Sequence, residues 1–223
     1  MKRAFSFSIL VILALASAYR PAMAGKKVLY FTHEPGRWHK YSAQLEIFRQ
    51  IAKKADWELT VMTGAHDPQI LKLRTPDFGK KYDAIVYNFC FAKSKDLEAQ
   101  ANLVAQTREH GVPAMLIHCA MHSWWPTYRD GKAGAIGSKY KGKAKAVPEL
   151  VAEWKAKHPE KAFPAWGDFT GVASGRHGPH RPIKLTKVGD HPATKGFPKA
   201  FTTGNTELYN NIYVLDEVKP LIE

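Results

Sequence analysis

An α/β domain with a mostly parallel central sheet is the fold class that the sequence predicts. Two observations carry it. Short apolar runs of strand length alternate with segments of helical periodicity, and polar or reactive side chains follow directly on those runs. Such β-α-β alternation implies parallel strands joined by right-handed crossovers. Open sheets of this kind gather ligands and catalytic groups at the carboxyl ends of their strands.

Lys27 to Thr32 (K-V-L-Y-F-T) reads as the first strand, and His33 to His39 as a polar loop. Ser42 is a plausible N-cap for a helix on which Leu45, Phe48, Ile51 and Ala52 share a face. Glu58 to Met62 is a second strand, and Ala84 to Phe89 a third. Leu97 to His110 reads as a helix with Leu97, Ala101, Val104 and Ala105 inward. The fourth strand is Ala114 to Ile117, introduced by Gly-Val-Pro and ended by His118, Cys119 and His122. Two imidazoles, a thiol and two indoles meeting at one strand end mark a candidate site. Beyond it, Ser123 to Val147 is a long loop, Pro148 to His158 a helix with proline in its first turn, and Ile183 to Val188 a candidate strand. Phe163 to Asp190 is rich in Gly, Pro and His.

The N-terminus reads as a targeting segment rather than part of the fold. Lys2 and Arg3 precede an apolar stretch, Ala4 to Ala18, and Ala22-Met23-Ala24 supplies a small-x-small cleavage pattern. Tyr19, Arg20 and Pro21 interrupt the stretch before it reaches the ~20 residues of a membrane span. The expectation is therefore a signal peptide over residues 1–24, export to the periplasm or medium after cleavage near Ala24-Gly25, and one domain over 25–223.

The whole chain carries 33 basic and 20 acidic residues, a net charge of +13. Losing Lys2, Arg3 and Arg20 with the leader leaves 30 against 20, or +10. The lysines are scattered, and their densest cluster, Lys132 to Lys145, is Gly- and Ala-rich, so a solvated loop is favoured over a nucleic-acid site. Two cysteines, Cys90 and Cys119, exclude a disulfide scaffold; packed thiols are the default.

Several chemistries fit the polar residues. Imidazole pairs, His118/His122 and His177/His180, with a carboxylate would suit zinc, but Gly and Pro around His177 and His180 argue against a helical ligand pair. Cys119 could be a nucleophile, yet no G-x-C-x-G elbow surrounds it. Trp38, Trp124, Trp125 and Trp166 lie in polar segments expected to be exposed, where an indole can stack on a sugar. Trp57 and Trp154 are expected in the core or at an interface.

Scattered over nearly all of residues 25–223 are V-L-Y-F-T-H-E with His39, Y-D-A-I-V-Y-N-F-C-F, G-V-P-A-M-L-I-H-C-A-M-H-S-W, G-V-A-S-G-R-H-G-P-H-R-P-I, D-H-P-A-T-K-G-F-P and T-G-N-T-E-L-Y-N-N. In this combination the chain resembles the ThuA-like (trehalose utilisation) domain of the class I glutamine amidotransferase-like superfamily. The resemblance implies a flavodoxin-like three-layer sandwich. It also implies a polar cluster of His39, Asn88, His118, His122, His177, His191, Glu207 and Tyr209. The amidotransferase nucleophile would fall at His118, one residue before Cys119, so glutaminase activity is not implied. Two departures are expected: a Lys-rich insertion at about 132–161, and the lack of a C-terminal G-K-G-R-V-F-like strand and G-H segment.

The resulting expectation is an exported protein acting on a sugar, glycoside or keto-sugar by His-centred acid–base chemistry, as a hydrolase, lyase or isomerase. His118, His122, His177 and Glu207 are the catalytic candidates, and His39, Asn88, Trp124, His191 and Tyr209 the substrate-binding ones. No cofactor or metal is assigned. The expected partner is a small carbohydrate, with no nucleic acid and no stable membrane anchor, and a homo-oligomer is compatible with the sequence. The rival readings are a non-catalytic carbohydrate-binding module on a degenerate amidotransferase-like fold and a metal-dependent hydrolase.

Overall fold

The computed structural model describes residues 25–127 and 146–223. The expected signal peptide and the lysine cluster Lys132 to Lys145 lie outside the described residues. The chain runs β1 (Lys27–Thr32), α1 (Tyr41–Lys54), β2 (Glu58–Met62), α2 (His66–Lys72), β3 (Ala84–Asn88), α3 (Leu97–Arg108) and β4 (Ala114–Leu116). After two short 3₁₀ turns come α4 (Pro148–Lys157), α5 (Trp166–Thr170), β5 (Val172–His177), β6 (Lys184–Thr186), β7 (Ala200–Thr202) and β8 (Tyr209–Val214).

β1 to β4 form one parallel sheet in the order β2-β1-β3-β4. Alternation along β1 explains its unbroken apolar run. Leu29 and Phe31 face a large core with Ile85, Tyr87, Leu103 and Val104, while Val28 and Tyr30 face a smaller one with Phe48 of α1. A strand covered on both faces needs apolar residues at every position. This is the flavodoxin-like three-layer arrangement that the resemblance implied.

The structure corrects several details. Ser42 does not cap α1; the position before the helix is Lys40, with no side-chain cap. Instead the Glu34 carboxylate reaches from the β1 loop and accepts from Ser42 N, placing negative charge at the helix start. On α3 the inward residues are Leu97, Ala99, Gln100, Leu103, Val104 and Gln106, and Ala101 and Ala105 are only half-buried. Buried glutamines shift the face: Gln106 Oε1 accepts from Gly79 N at 2.9 Å, a bond that hydropathy does not register. α2 carries Pro68 in its first turn, where a missing N–H costs nothing. Trp154 is buried in the core, whereas Trp57 is 36% exposed and lies outside it.

β4 is an edge strand of the four-stranded sheet, not a central one. The later strands do not join it. β5 pairs antiparallel with β8, with bulges near Ser174, and β6 pairs with β7. Among the described residues, no helix is long and apolar enough to cross a membrane.

Candidate functional site

The candidate site forms where the end of β4 meets the β5–β8 ribbon. His118 lies two residues past Leu116, the end of β4, and opens the 3₁₀ turn His118–His122 after Ile117. Its backbone sits at φ +46°, in the left-handed region that costs a non-glycine residue energy. This is the strand-turn-helix corner at which a nucleophile elbow presents its side chain, here carrying an imidazole.

β8 brings the partners. His177 pairs with Tyr209 across the β5–β8 ladder, and Arg181 bridges Thr206 just beyond. Glu207 is therefore held in extended chain between two paired positions. Tyr209 Oη lies 3.0 Å from His118 Nδ1 and donates to Cys119 Sγ at 3.0 Å. His39 Nε2 lies 3.0 Å from the same sulfur. His122 stacks on Tyr209 with ring centroids 5.0 Å apart, and its Nδ1 lies 3.0 Å from Ser174 Oγ.

Around the Glu207 carboxylate stand three imidazoles. His180 Nε2 is 2.7 Å and His177 Nδ1 3.2 Å from Oε2, and His118 Nε2 is 3.7 Å from Oε1. Glu207 is nearly buried, with 12% of its side chain exposed, while His118 keeps 35% and can meet a ligand. Burial, reinforced by His39, pushes the His118 imidazole below its ordinary range, with Glu207 opposing. Burial likewise lowers His39. Cys119 holds its proton strongly, through its hydrogen bond to Cys90 and its burial, so it lacks the thiolate a nucleophile needs. Both cysteines are free thiols.

If the Tyr209 proton is directed at Cys119, the phenolic oxygen can accept from a His118 Nδ1–H tautomer. Nε2 then carries the lone pair, aimed at the open side where Glu207 lies. The arrangement can accept a proton from a ligand, hold the resulting imidazolium beside a carboxylate, and return the proton.

Of the residues singled out from the sequence, His39, His118, His122, His177, Glu207 and Tyr209 come together. Asn88 ends β3, beside β4, but its amide is spent on Tyr30 Oη at 2.6 Å and Gln44 Oε1 at 2.8 Å. His191 lies apart and exposed, capping the turn Pro192–Thr194 through Ala193 N. Trp124 is fully buried, packed on Trp166, Phe89 and Phe91, and cannot stack on a sugar. Trp166 is buried as well; Trp38, at 68% exposure, is the open indole. Sequence reasoning named His180 only with His177 as a possible zinc pair and left it out of the catalytic set, although it reaches Glu207 at 2.7 Å. It also missed Cys119 as the sulfur on which His39 and Tyr209 converge.

His33, in the same stretch as His39, does structural work instead. It is buried, stacks on Phe91, and its Nε2 accepts from Cys90 N at 3.3 Å, which requires the neutral ring. Burial first, then His66, push its pKa down to about 4, against weaker support from Glu34. The folded state therefore binds fewer protons than the unfolded one below about pH 6.5, the ordinary imidazole value. Stability is unaffected by this group above that value, falls as pH drops toward 4, and levels off below. The loss is about 3 kcal/mol at most. Urea midpoints of wild type and His33→Gln between pH 7 and 4 check this; parallel pH slopes would refute it.

No family model matches the sequence, and no curated protein does. Among solved structures, the chain matches a protein from Bacteroides uniformis ATCC 8492, named provisionally as ThuA-like, with a TM-score of 0.59 and 16% identity. The match covers 90% of this chain and 69% of that one. The fold of this chain is thus that of the ThuA-like protein, in agreement with the family its sequence resembles.

Proposed function

We propose that this is an exported ThuA-like protein, cleaved before Gly25, that acts on a sugar, glycoside or keto-sugar by acid–base chemistry centred on His118. The observation that carries the reading is the placement of that imidazole. It is raised on a strained corner, bonded at Nδ1 by Tyr209, faced at Nε2 by the Glu207 carboxylate, and open to solvent. His118 would take a proton from a hydroxyl, or from a carbon beside a carbonyl. Glu207 would stabilise the imidazolium, and Tyr209 would hold the tautomer. His122, stacked on Tyr209, keeps the phenol in place. His39 and Trp38 would line the side toward the substrate. The sugar assignment rests on the resemblance of the sequence motifs to the trehalose-utilisation domain, and the likeness in fold to a ThuA-like protein is in keeping with that resemblance.

The test is a panel of disaccharides, glycosides and 3-keto-sugars incubated with residues 25–223 and followed by NMR, alongside thermal melting with each compound. Turnover of at least one compound is expected, together with a raised Tm from binding to the native state. A sugar that raises Tm and is never turned over would replace the enzyme with the carbohydrate-binding module.

A further inference from the structure

We propose that His177, His180 and Glu207 form a divalent metal site of the zinc class, with its open side toward His118. The three side chains place their ligand atoms within 4.8 Å of one another. The imidazole-to-carboxylate separations, 3.2 and 2.7 Å, lie just below the ~3.3 Å between ligand atoms of a tetrahedral ion with bonds near 2.0–2.1 Å. To bind an ion, His177 would have to give up its Nδ1 contact with Gly178 O at 2.9 Å or turn its ring to present Nε2. Two imidazoles and one carboxylate are also a recurring catalytic zinc set, in which the fourth position stays free.

The backbone beneath the three residues is tied together. Gly178 N donates to Leu208 O at 2.9 Å, and Arg181 and Thr206 exchange both of their backbone bonds, at 2.9 and 3.1 Å. His177 thus ends β5, and His180 and Glu207 each sit next to the Arg181–Thr206 bridge, so the backbone on both sides is tethered. Glu207 is nearly buried while His177 and His180 are half-exposed or more, so an ion seated there would be anchored from below and open above. His118 Nε2, 3.7 Å from the other carboxylate oxygen, borders the open position.

A second triad, His39, His118 and Cys119, also has converging ligand atoms. It is the poorer host. Cys119 is buried and already engaged by His39 and Tyr209, and zinc would require its thiol to ionise. The metal proposal goes beyond the sugar reading and does not depend on it. Where both hold, Glu207 would be a ligand of the ion in place of a counter-ion to His118, and the ion would polarise a sugar oxygen next to the neutral imidazole.

Residues 25–223, stripped with a chelator and dialysed, are titrated with Zn²⁺ by calorimetry. One equivalent is expected. His177→Ala, His180→Ala and Glu207→Gln should each weaken binding at least ~10-fold, and His39→Ala should leave it unchanged. No binding by the wild type, binding indifferent to His177→Ala and His180→Ala, or loss in His39→Ala would each overturn the site. Variants are compared only if their far-UV spectra and melting match the wild type. Co²⁺ loading of the wild type needs no variant: nitrogen and oxygen ligation is expected, and a thiolate charge-transfer band would move the metal to Cys119 and refute the proposal. Because binding is read directly, a failed sugar panel leaves this result standing, and the reverse.

Discussion

His118→Asn is expected to lower turnover of the sugar substrate by about 10²-fold or more, the usual contribution of a positioned acid/base. Asparagine is the informative replacement because it tolerates the left-handed backbone that His118 adopts at φ +46°. The fold and the Tyr209 contact then have the best chance of surviving while the titrating group is lost. Cys119→Ser should keep most of the activity. A serine hydroxyl can still accept from Tyr209, and the native thiol is held protonated in any case. Steady-state rates of the two variants check the ranking. If Cys119→Ser is the crippled one, the cysteine is the nucleophile and the amidotransferase-like mechanism returns.

Trp124→Ala is expected to cost about 3–5 kcal/mol of stability, the range for removing a buried aromatic side chain. Trp124 is wholly buried, its ring 4.8 Å from that of Trp166 and 5.8 Å from that of Phe91. Its Nε1 donates to Asp96 O at 3.1 Å, the residue whose side chain caps α3; truncation removes that bond, while the same carbonyl keeps the one from Gln100 N. Urea unfolding measures the loss. A variant with unchanged stability and abolished sugar binding would instead make Trp124 a stacking platform at the surface.

Much of the candidate site was legible as residue types but not as contacts. His118 could be placed at a strand end, with Asn88 at a neighbouring one, because strand ends can be read from where apolar runs stop. That Asn88 would turn inward to Tyr30 and Gln44 could not, since an amide at a strand end serves a ligand or the scaffold with the same sequence signature. The polar setting of Trp124 and Trp166 suggested exposure, yet the chain folds those segments under the sheet and buries both rings. The Gly, Pro and His residues from Ser174 to Pro182 hid β5, whose pairing depends on β8, more than thirty positions later.

By itself the sequence determined the α/β class, the β1–β4 strands and the position of His118 at the end of one of them. These follow from local rules: a strand buried on both faces must be apolar throughout, and its end is where polarity returns. Only the tertiary structure decided which polar groups share the site. Tyr209 meets His118 across 91 positions, and Glu207 gathers His118, His177 and His180 because an antiparallel ribbon docks on the 3₁₀ turn after β4. The physical reason is that ribbon pairing and docking are set by long-range hydrogen bonds and packing, and these leave no periodicity in the chain that makes them.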